Sequence, residues 1–264
     1  DAMDDVIARL VAARRKEGRD HGDLMSHIVF AADEQGGMSK KQMRDELMTL
    51  IFAGHETTAH TLTWAWYLLA KNRDKLAKAQ REIDQRIGRR PIRVDDLCDL
   101  PYLEMCLKES LRRLPAVWIF AREAQIDLRI GDYVFPKGAI LAISPLATGR
   151  NAKYYDNPME YRPERWTREF ERSLPKGAYV PFAAGPRVCL GKQFAMMEMR
   201  IVLGTLIQNV DINILEGFEP DFLPELSLNP GERGMQMRVR FRDDAPVRLG
   251  DSERPAAVAS APAA

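Results

Sequence analysis

The ten-residue segment F-A-A-G-P-R-V-C-L-G, residues 182–191, constrains the fold of this chain more than any other stretch. Gly185 allows a tight turn, and Arg187 places a fixed positive charge two residues before Cys189. An apolar, periodic segment follows over residues 194–206, so we expect Cys189 at the N-terminus of a helix. The dipole and free N–H groups of a first helical turn favour the thiolate form of cysteine. A single anionic sulfur in this setting suits an axial metal ligand, whereas the alternative is a small buried core cysteine.

A long helix is predicted from the capping-box pattern of Ser39 and Gln42 to about Asn72. At 1.5 Å per residue it would span roughly 50 Å. Its segment 47–70 has the length of a membrane span, but Glu56 would then lie in mid-bilayer beside histidines and threonines. A buried helix that lines an active-site cavity explains both the apolar character and the polar centre.

The polar centre of this helix reads A-G-H-E-T-T. Thr57 follows Ala53 by four residues, so its hydroxyl can donate to the Ala53 carbonyl and locally open the helix. Gly54 lets a flat ligand approach the backbone. Thr57 and Glu56 then offer a hydroxyl and a carboxylate to a cavity, which suits a water-bridged proton relay. The alternative is a glycine-kinked core helix whose threonine is bonded to its own backbone.

Glu109 and Arg112 lie three residues apart on one face of a helix predicted from Pro101 to Leu114. An exposed pair at this spacing is common and contributes only about 0.2–0.5 kcal/mol. The segment Y-R-P-E-R-W, residues 161–166, follows in an irregular region. Its Arg165 is predicted to reach Glu109 as a third member.

The remaining pattern predicts a mainly α fold with a minor β component. Short β segments between Glu123 and Ile143 predict a small antiparallel sheet, and strict alternation over residues 235–241 predicts a half-buried strand. With 39 basic and 38 acidic residues, the chain lacks the positive excess of a nucleic-acid-binding protein. Its three cysteines have no C-x-x-C spacing, which favours a reducing compartment, the cytoplasm. Its four histidines lack zinc-site spacing.

These motifs, in this order and on these elements, resemble the cytochrome P450 family of haem-thiolate monooxygenases, and the soluble bacterial members look most similar. The resemblance implies that Cys189 ligates the iron of haem b (iron protoporphyrin IX), that Arg187 pairs with a propionate, and that Phe182 packs beside the sulfur. Arg122 stands where the family has a second propionate-binding cation. In this likeness the other residues on the cofactor side are Gly185, Gly191, Ala53 and Gly54.

In the same family Thr57 and Glu56 match the acid and threonine pair that delivers protons, while the E-x-x-R and P-E-R segments hold the architecture under the cysteine loop. The resemblance implies insertion of one oxygen atom from dioxygen into a small organic substrate. Electrons would come from NAD(P)H through a redox partner, namely a ferredoxin, flavodoxin or flavin reductase. No nucleic-acid partner and no membrane segment in this chain are expected. The alternatives are a peroxide-using thiolate-haem enzyme and a non-catalytic, truncated haem-binding fragment.

The likeness extends from the first helix to about residue 247. It predicts a partial haem domain over residues 1–247 and a disordered Ala- and Pro-rich tail over residues 248–264. The first residue is not methionine, and the N-terminal portion of the family's fold is expected to be absent. The chain would then carry only the C-terminal part, a little over half, of that fold.

Overall fold

A computed structural model of the protein describes residues 2–33 and 37–242. The predicted tail, residues 248–264, lies outside these ranges. The chain divides into two compact units, residues 1–61 and residues 62–264. The described residues are mainly helical with short antiparallel strands, which confirms the predicted fold class.

The first unit contains α1 (Ala2–Glu17), α2 (Leu24–Asp33) and most of α3 (Lys40–Lys71). The predicted capping box begins α3, because the N–H of Gln42 donates to Ser39 Oγ at 3.2 Å and the N–H of Ser39 donates to Gln42 Oε1 at 2.9 Å. Apolar faces of the three helices meet in a small core. Its buried residues are Ile7, Val11, Val29, Met43 and Leu47.

The two ends of α3 differ from its middle in exposure. Residues 64–70 are buried in the core of the second unit, whereas residues 52–55 are exposed and the Phe52 side chain is 51% accessible. The prediction of a buried helix is therefore correct for residues 64–70 and wrong for residues 52–55 at the polar centre. Within residues 2–33 and 37–242, no helix is both long and apolar enough to cross a membrane.

The second unit packs three long helices around one core. It contains the end of α3 and then α4 (Arg73–Arg86), α5 (Pro101–Arg113), α6 (Pro145–Gly149), α7 (Arg168–Ser173) and α8 (Lys192–Asn209). Gly204 lets α8 approach its neighbours closely, since a Cβ atom there would lie 2.8 Å from Ile92 Cδ1 and 3.0 Å from Leu103 Cδ2. The core therefore depends on a small residue at this crossing.

The strands of the second unit form four antiparallel pairs within the described residues. The pairs are β1 (Phe120–Glu123) with β4 (Ile140–Ile143), β2 (Leu128–Ile130) with β3 (Tyr133–Phe135), β5 (Val210–Ile214) with β8 (Met237–Phe241), and β6 (Leu223–Pro224) with β7 (Leu228–Asn229). The predicted small sheet is thus two separate ribbons. The predicted strand at residues 235–241 is β8, which is more exposed than its alternation suggests because it belongs to a sheet of only two strands.

The short helix α6 lies against the C-terminal end of α5. Its N-cap is Ser144, whose Oγ accepts the N–H of Ala147 at 3.1 Å. A Cβ atom at Gly149 would lie 2.3 Å from the Arg112 carbonyl oxygen. The two backbones therefore meet at a place where only glycine fits.

We expect Gly149→Ala to lower the free energy of unfolding by about 3 kcal/mol, because the new methyl group overlaps a helix backbone that cannot move aside. Chemical denaturation monitored by circular dichroism measures this change. The control is Ala147→Ser, an exposed position on the same helix, which should stay within about 0.5 kcal/mol of the parent. Equal stability of the two variants would contradict the proposed close approach.

Candidate functional site

The cysteine loop is held in a defined conformation before α8 begins. Gly185 has φ +74° and starts a 3₁₀ turn, Gly185–Arg187, so the predicted tight turn is present. The N–H of Cys189 donates to the Phe182 carbonyl at 2.9 Å and closes the loop. The helix starts at Lys192 and not at Cys189 as predicted, because the 3₁₀ turn and the residues after it come first.

Cys189 and several apolar residues close to it in sequence are exposed. The cysteine is exposed, and so are Val188 at 48%, Leu190 at 77% and Phe194 at 65% accessibility. Gly191 is the N-cap of α8 with φ −81°, a value open to any residue. A Cβ atom there would lie 4.0 Å from Cys189 Sγ, so this glycine keeps space beside the sulfur.

This surface fits the group that the sequence implies. Contiguous exposed apolar side chains are unusual on a soluble protein and mark a surface that another group covers. Here Val188, Leu190 and Phe194 flank one exposed cysteine in sequence, and Cys189 follows the exposed Arg187 by two residues. A flat, apolar macrocycle with a metal centre and anionic substituents has the matching chemistry, because it offers an iron for the sulfur and carboxylates for the arginine.

Arg122, the second predicted cation, lies on β1 opposite Leu141 of β4. Its side chain is exposed, and its Nη1 donates to the Ala121 carbonyl at 2.8 Å. The guanidinium carbon is 5.3 Å from the centroid of the Phe120 ring. Both contacts are local, so the role of Arg122 toward a cofactor stays a prediction.

In the first unit, the hydroxyl of Thr57 donates to the Ala53 carbonyl at 2.6 Å, as the spacing predicts. The helix nevertheless continues without a break, so the expected local opening is absent from this structure. Thr49 makes the same bond to the Asp45 carbonyl at 2.8 Å. Gly54 is exposed and has open space at its Cβ position, and the approach of a flat ligand to its backbone stays a prediction.

The carboxylate of Glu56 has a neighbour that the sequence analysis missed. His60 Nδ1 lies 3.8 Å from Glu56 Oε1, and the two side chains are 21% and 37% exposed respectively. The spacing of four residues on one helix was the available signal. Glu56 and His60 therefore form a half-buried pair of a carboxylate and an imidazole. Glu56 directly precedes Thr57, and His60 follows it by three residues.

Among the described residues of the second unit, Glu109 is the carboxylate with the most hydrogen-bond donors. Arg112 donates to it twice, from Nε at 2.8 Å and from Nη2 at 2.7 Å, and Arg165 Nε donates at 3.1 Å. All three side chains are at most 1% exposed. The predicted triad is therefore present, and it is fully buried.

Two further donors complete the Glu109 site and were missed by the sequence analysis. The indole N–H of Trp166 donates to Oε2 at 2.9 Å, and the backbone N–H of Arg162 donates to Oε1 at 2.9 Å. Trp166 also packs against Tyr179, with ring centroids 4.5 Å apart. Since Tyr179 precedes Phe182 by three residues, the buried cluster reaches the start of the cysteine loop.

Arg112 extends the cluster to three backbone carbonyls of the irregular region. Its guanidinium donates to the oxygens of Gly149, Pro158 at 2.8 Å and Glu160 at 3.0 Å. It also lies 5.0 Å from the Tyr155 ring centroid. Burial raises the pKa of the Tyr155 phenol to about 12. These contacts fix the chain between α6 and the cysteine loop, where periodic secondary structure is scarce.

Comparison with known proteins supports one family. The profile described as "Cytochrome P450" matches residues 1–236. "Cytochrome P450 4V2" from Mus musculus is 37% identical over 77% of this chain and 42% of its own length. "Cyclooctatin synthase" from Streptomyces melanosporofaciens is 32% identical over 87% of this chain and 52% of its own length.

The solved structure of the "cytochrome P450DA heme domain" is similar with a TM-score of 0.84 and 30% identity, covering 92% of this chain and 54% of that one. The chain thus spans about half the length of the relatives it matches. The predicted likeness to bacterial members is correct only in part, because mammalian and bacterial proteins are both among these relatives.

We expect Glu109→Ala to lower the free energy of unfolding by about 3–5 kcal/mol, because Arg112 and Arg165 would remain as buried cations without a carboxylate. Thermal melting of the purified variants measures the loss. The control is Glu104→Ala on the same helix, where a 33% exposed carboxylate pairs with Lys108 at 3.0 Å. That variant should lose less than about 1 kcal/mol. A Glu109 variant as stable as the control would refute the structural role of the triad.

Proposed function

This chain belongs to the cytochrome P450 family, and from that premise we propose that it supplies the thiolate ligand and the proton-delivering residues of a haem-dependent monooxygenase. The observation that carries the proposal is the exposed Cys189, followed and preceded by exposed apolar residues, on a loop closed by the hydrogen bond from its own N–H to the Phe182 carbonyl. The hydrogen bond holds the backbone of Cys189 in one conformation, so the loop presents its sulfur in one orientation.

We assign the cofactor contacts to residues of the second unit. Cys189 is the iron ligand, Arg187 and Arg122 pair with the propionates, and Phe182 packs beside the sulfur. Gly185 supplies the turn through its positive φ, and Gly191 leaves space at the sulfur. Haem b, when bound, supplies the oxidising chemistry for oxygen-atom transfer, and thiolate ligation favours cleavage of the O–O bond.

Proton delivery is assigned to Thr57 and Glu56 on α3. Because the Thr57 hydrogen is engaged by the Ala53 carbonyl at 2.6 Å, the hydroxyl oxygen presents lone pairs and accepts a hydrogen bond from water. Glu56, 3.8 Å from His60, can pass a proton to that water while the imidazole orients the carboxylate. The neighbouring Ala53 and Gly54 keep this stretch of backbone open to a flat ligand.

The reaction proposed for the whole protein consumes dioxygen and a small organic substrate. Electrons come from NAD(P)H through an electron-transfer partner, a ferredoxin, flavodoxin or flavin reductase. We assign the haem-binding part to residues 1–247 and propose a cytoplasmic location, since three cysteines without C-x-x-C spacing favour a reducing compartment. Family membership and the cysteine loop support this assignment, which covers the reaction class and leaves the choice of substrate to the complete protein.

We expect Cys189→Ser to abolish the red-shifted Soret band that ferrous, carbon monoxide-bound protein shows when a thiolate ligates the iron. The serine hydroxyl is not deprotonated at neutral pH, so it cannot replace the anionic sulfur. Absorption spectroscopy of reconstituted protein measures the band, and Cys98→Ser, which alters another exposed cysteine, is the control that should retain it. A Cys189 variant with an unchanged band would reject the ligand assignment.

We expect Thr57→Ala to reduce product formation by about 100-fold or more, with reducing equivalents diverted to hydrogen peroxide, because the hydroxyl that would hold the proton-donating water is lost. The measurement is product and peroxide formed per NAD(P)H consumed in an active preparation that contains this chain. Thr49→Ala removes an equivalent backbone-bonded hydroxyl from the same helix and should leave the ratio unchanged. If both variants keep full coupling, Thr57 has no part in proton delivery.

A further inference from the structure

Arg113, the last residue of α5, is a half-buried cation with poor hydrogen-bond partners. Its Nη1 contacts only the Pro158 carbonyl at 3.4 Å and the Met159 sulfur at 3.2 Å, which is a weak acceptor. Its Nε is buried without any hydrogen-bond partner. No carboxylate among the described residues forms an ion pair with it. The side chain is therefore positioned without the anion that a buried guanidinium normally requires.

Arg150 is the second cation of this cluster and follows α6 directly. Its Nε and Nη2 donate to the Arg113 carbonyl at 3.4 Å and 3.2 Å, which caps the C-terminal end of α5. Nη1 has no partner within the described part of the chain and is not fully buried. Arg150 also lacks an ion pair with any described carboxylate. Its structural role thus uses only one side of its guanidinium.

The surrounding charges do not compensate these two arginines. Arg112 and Arg165 both pair with Glu109, the one carboxylate in this part of the described structure that ion-pairs with the arginine cluster. Arg112 and Arg113 donate to the same Pro158 carbonyl, so their guanidinium groups are close neighbours. Burial, together with the positive charges of Arg112 and Arg150, lowers the pKa of Arg113 to about 10.

We propose that Arg113 and Arg150 form a binding site for a small oxyanion, of the phosphate or carboxylate class. Both guanidinium groups retain a donor that no described residue uses, Nη2 of Arg113 and Nη1 of Arg150, and neither atom is among the fully buried ones. Planar guanidinium forks match the spacing of oxygens in phosphate and carboxylate. Neither Cys189 nor any residue assigned to haem binding contributes a donor to this site.

Met159 is the side chain that an arriving anion displaces. It is 59% exposed, and its sulfur accepts a weak hydrogen bond from Arg113 Nη1 at 3.2 Å, on the same guanidinium group as the unused Nη2. An anionic oxygen forms a charge-assisted hydrogen bond with arginine that is much stronger than a contact to a thioether. Exchange of the sulfur for the oxyanion therefore requires movement of one flexible surface side chain and no change of the backbone.

Arginine-selective labelling with phenylglyoxal, followed by peptide mass spectrometry, tests this site on the full chain. The buffers contain sodium phosphate, sodium succinate or sodium chloride at equal ionic strength. We expect phosphate or succinate to slow the labelling of Arg113 about tenfold once the anion reaches about ten times its Kd, by simple mass action. The two oxyanion arms decide whether the site prefers phosphate or carboxylate.

Arg129, an exposed arginine on β2 whose Nε donates to the Gly131 carbonyl at 3.2 Å, serves as the internal control and should show no protection. The Arg150→Gln variant should keep the labelling of Arg113 and lose its protection by oxyanions, while Arg150→Lys should keep part of it. Equal labelling of Arg113 in all three buffers would overturn the proposal. Equal protection of Arg113 and Arg129 would also overturn it, because it would indicate general screening.

Discussion

The second unit depends on one buried carboxylate, that of Glu109. Five donors converge on its two oxygens, from Arg112, Arg165, Trp166 and the backbone of Arg162. A buried set of paired charges contributes little net stability. Removal of one partner, however, lowers the free energy of unfolding strongly, because the other charges stay buried without a counter-ion. The cluster therefore fixes where the irregular chain lies against α5. Through the contact of Trp166 with Tyr179, it also fixes the position at which the cysteine loop begins.

Much of this arrangement could be predicted from the sequence because the signals were local or strongly patterned. The capping box at Ser39 and the triad partner Arg165 both followed from spacing and residue type. Gly149 and His60 were missed for different reasons. The need for glycine at 149 arises from a close approach of two backbones that no periodicity reveals. The contact of His60 with Glu56 was missed because the spacing of four residues alone does not say which side chains of a polar segment meet.

The two groups of predicted site residues have different physical characters. The cysteine loop exposes Cys189 together with the apolar residues next to it, Val188 and Leu190. Such exposed apolar residues are typical of a surface that another group covers. The α3 group is polar and offers hydroxyl, carboxylate and imidazole to water. The start of α8 at Lys192, three residues after Cys189, leaves the sulfur on a loop rather than on a helix. The loop conformation, more than a helix dipole, thus determines how the sulfur is presented.

Most partners of Glu109 are far from it in sequence, and this separation constrains how the region can fold. Arg112 is three residues away, but Arg165 and Trp166 are separated from Glu109 by 56 and 57 residues. Until that long loop closes, α5 carries the Glu109 carboxylate and the Arg112 guanidinium, which water solvates better than the protein interior does. We therefore expect docking of α5 into the core and ordering of residues 149–166 to occur together, because each supplies the partners of the charges that the other buries.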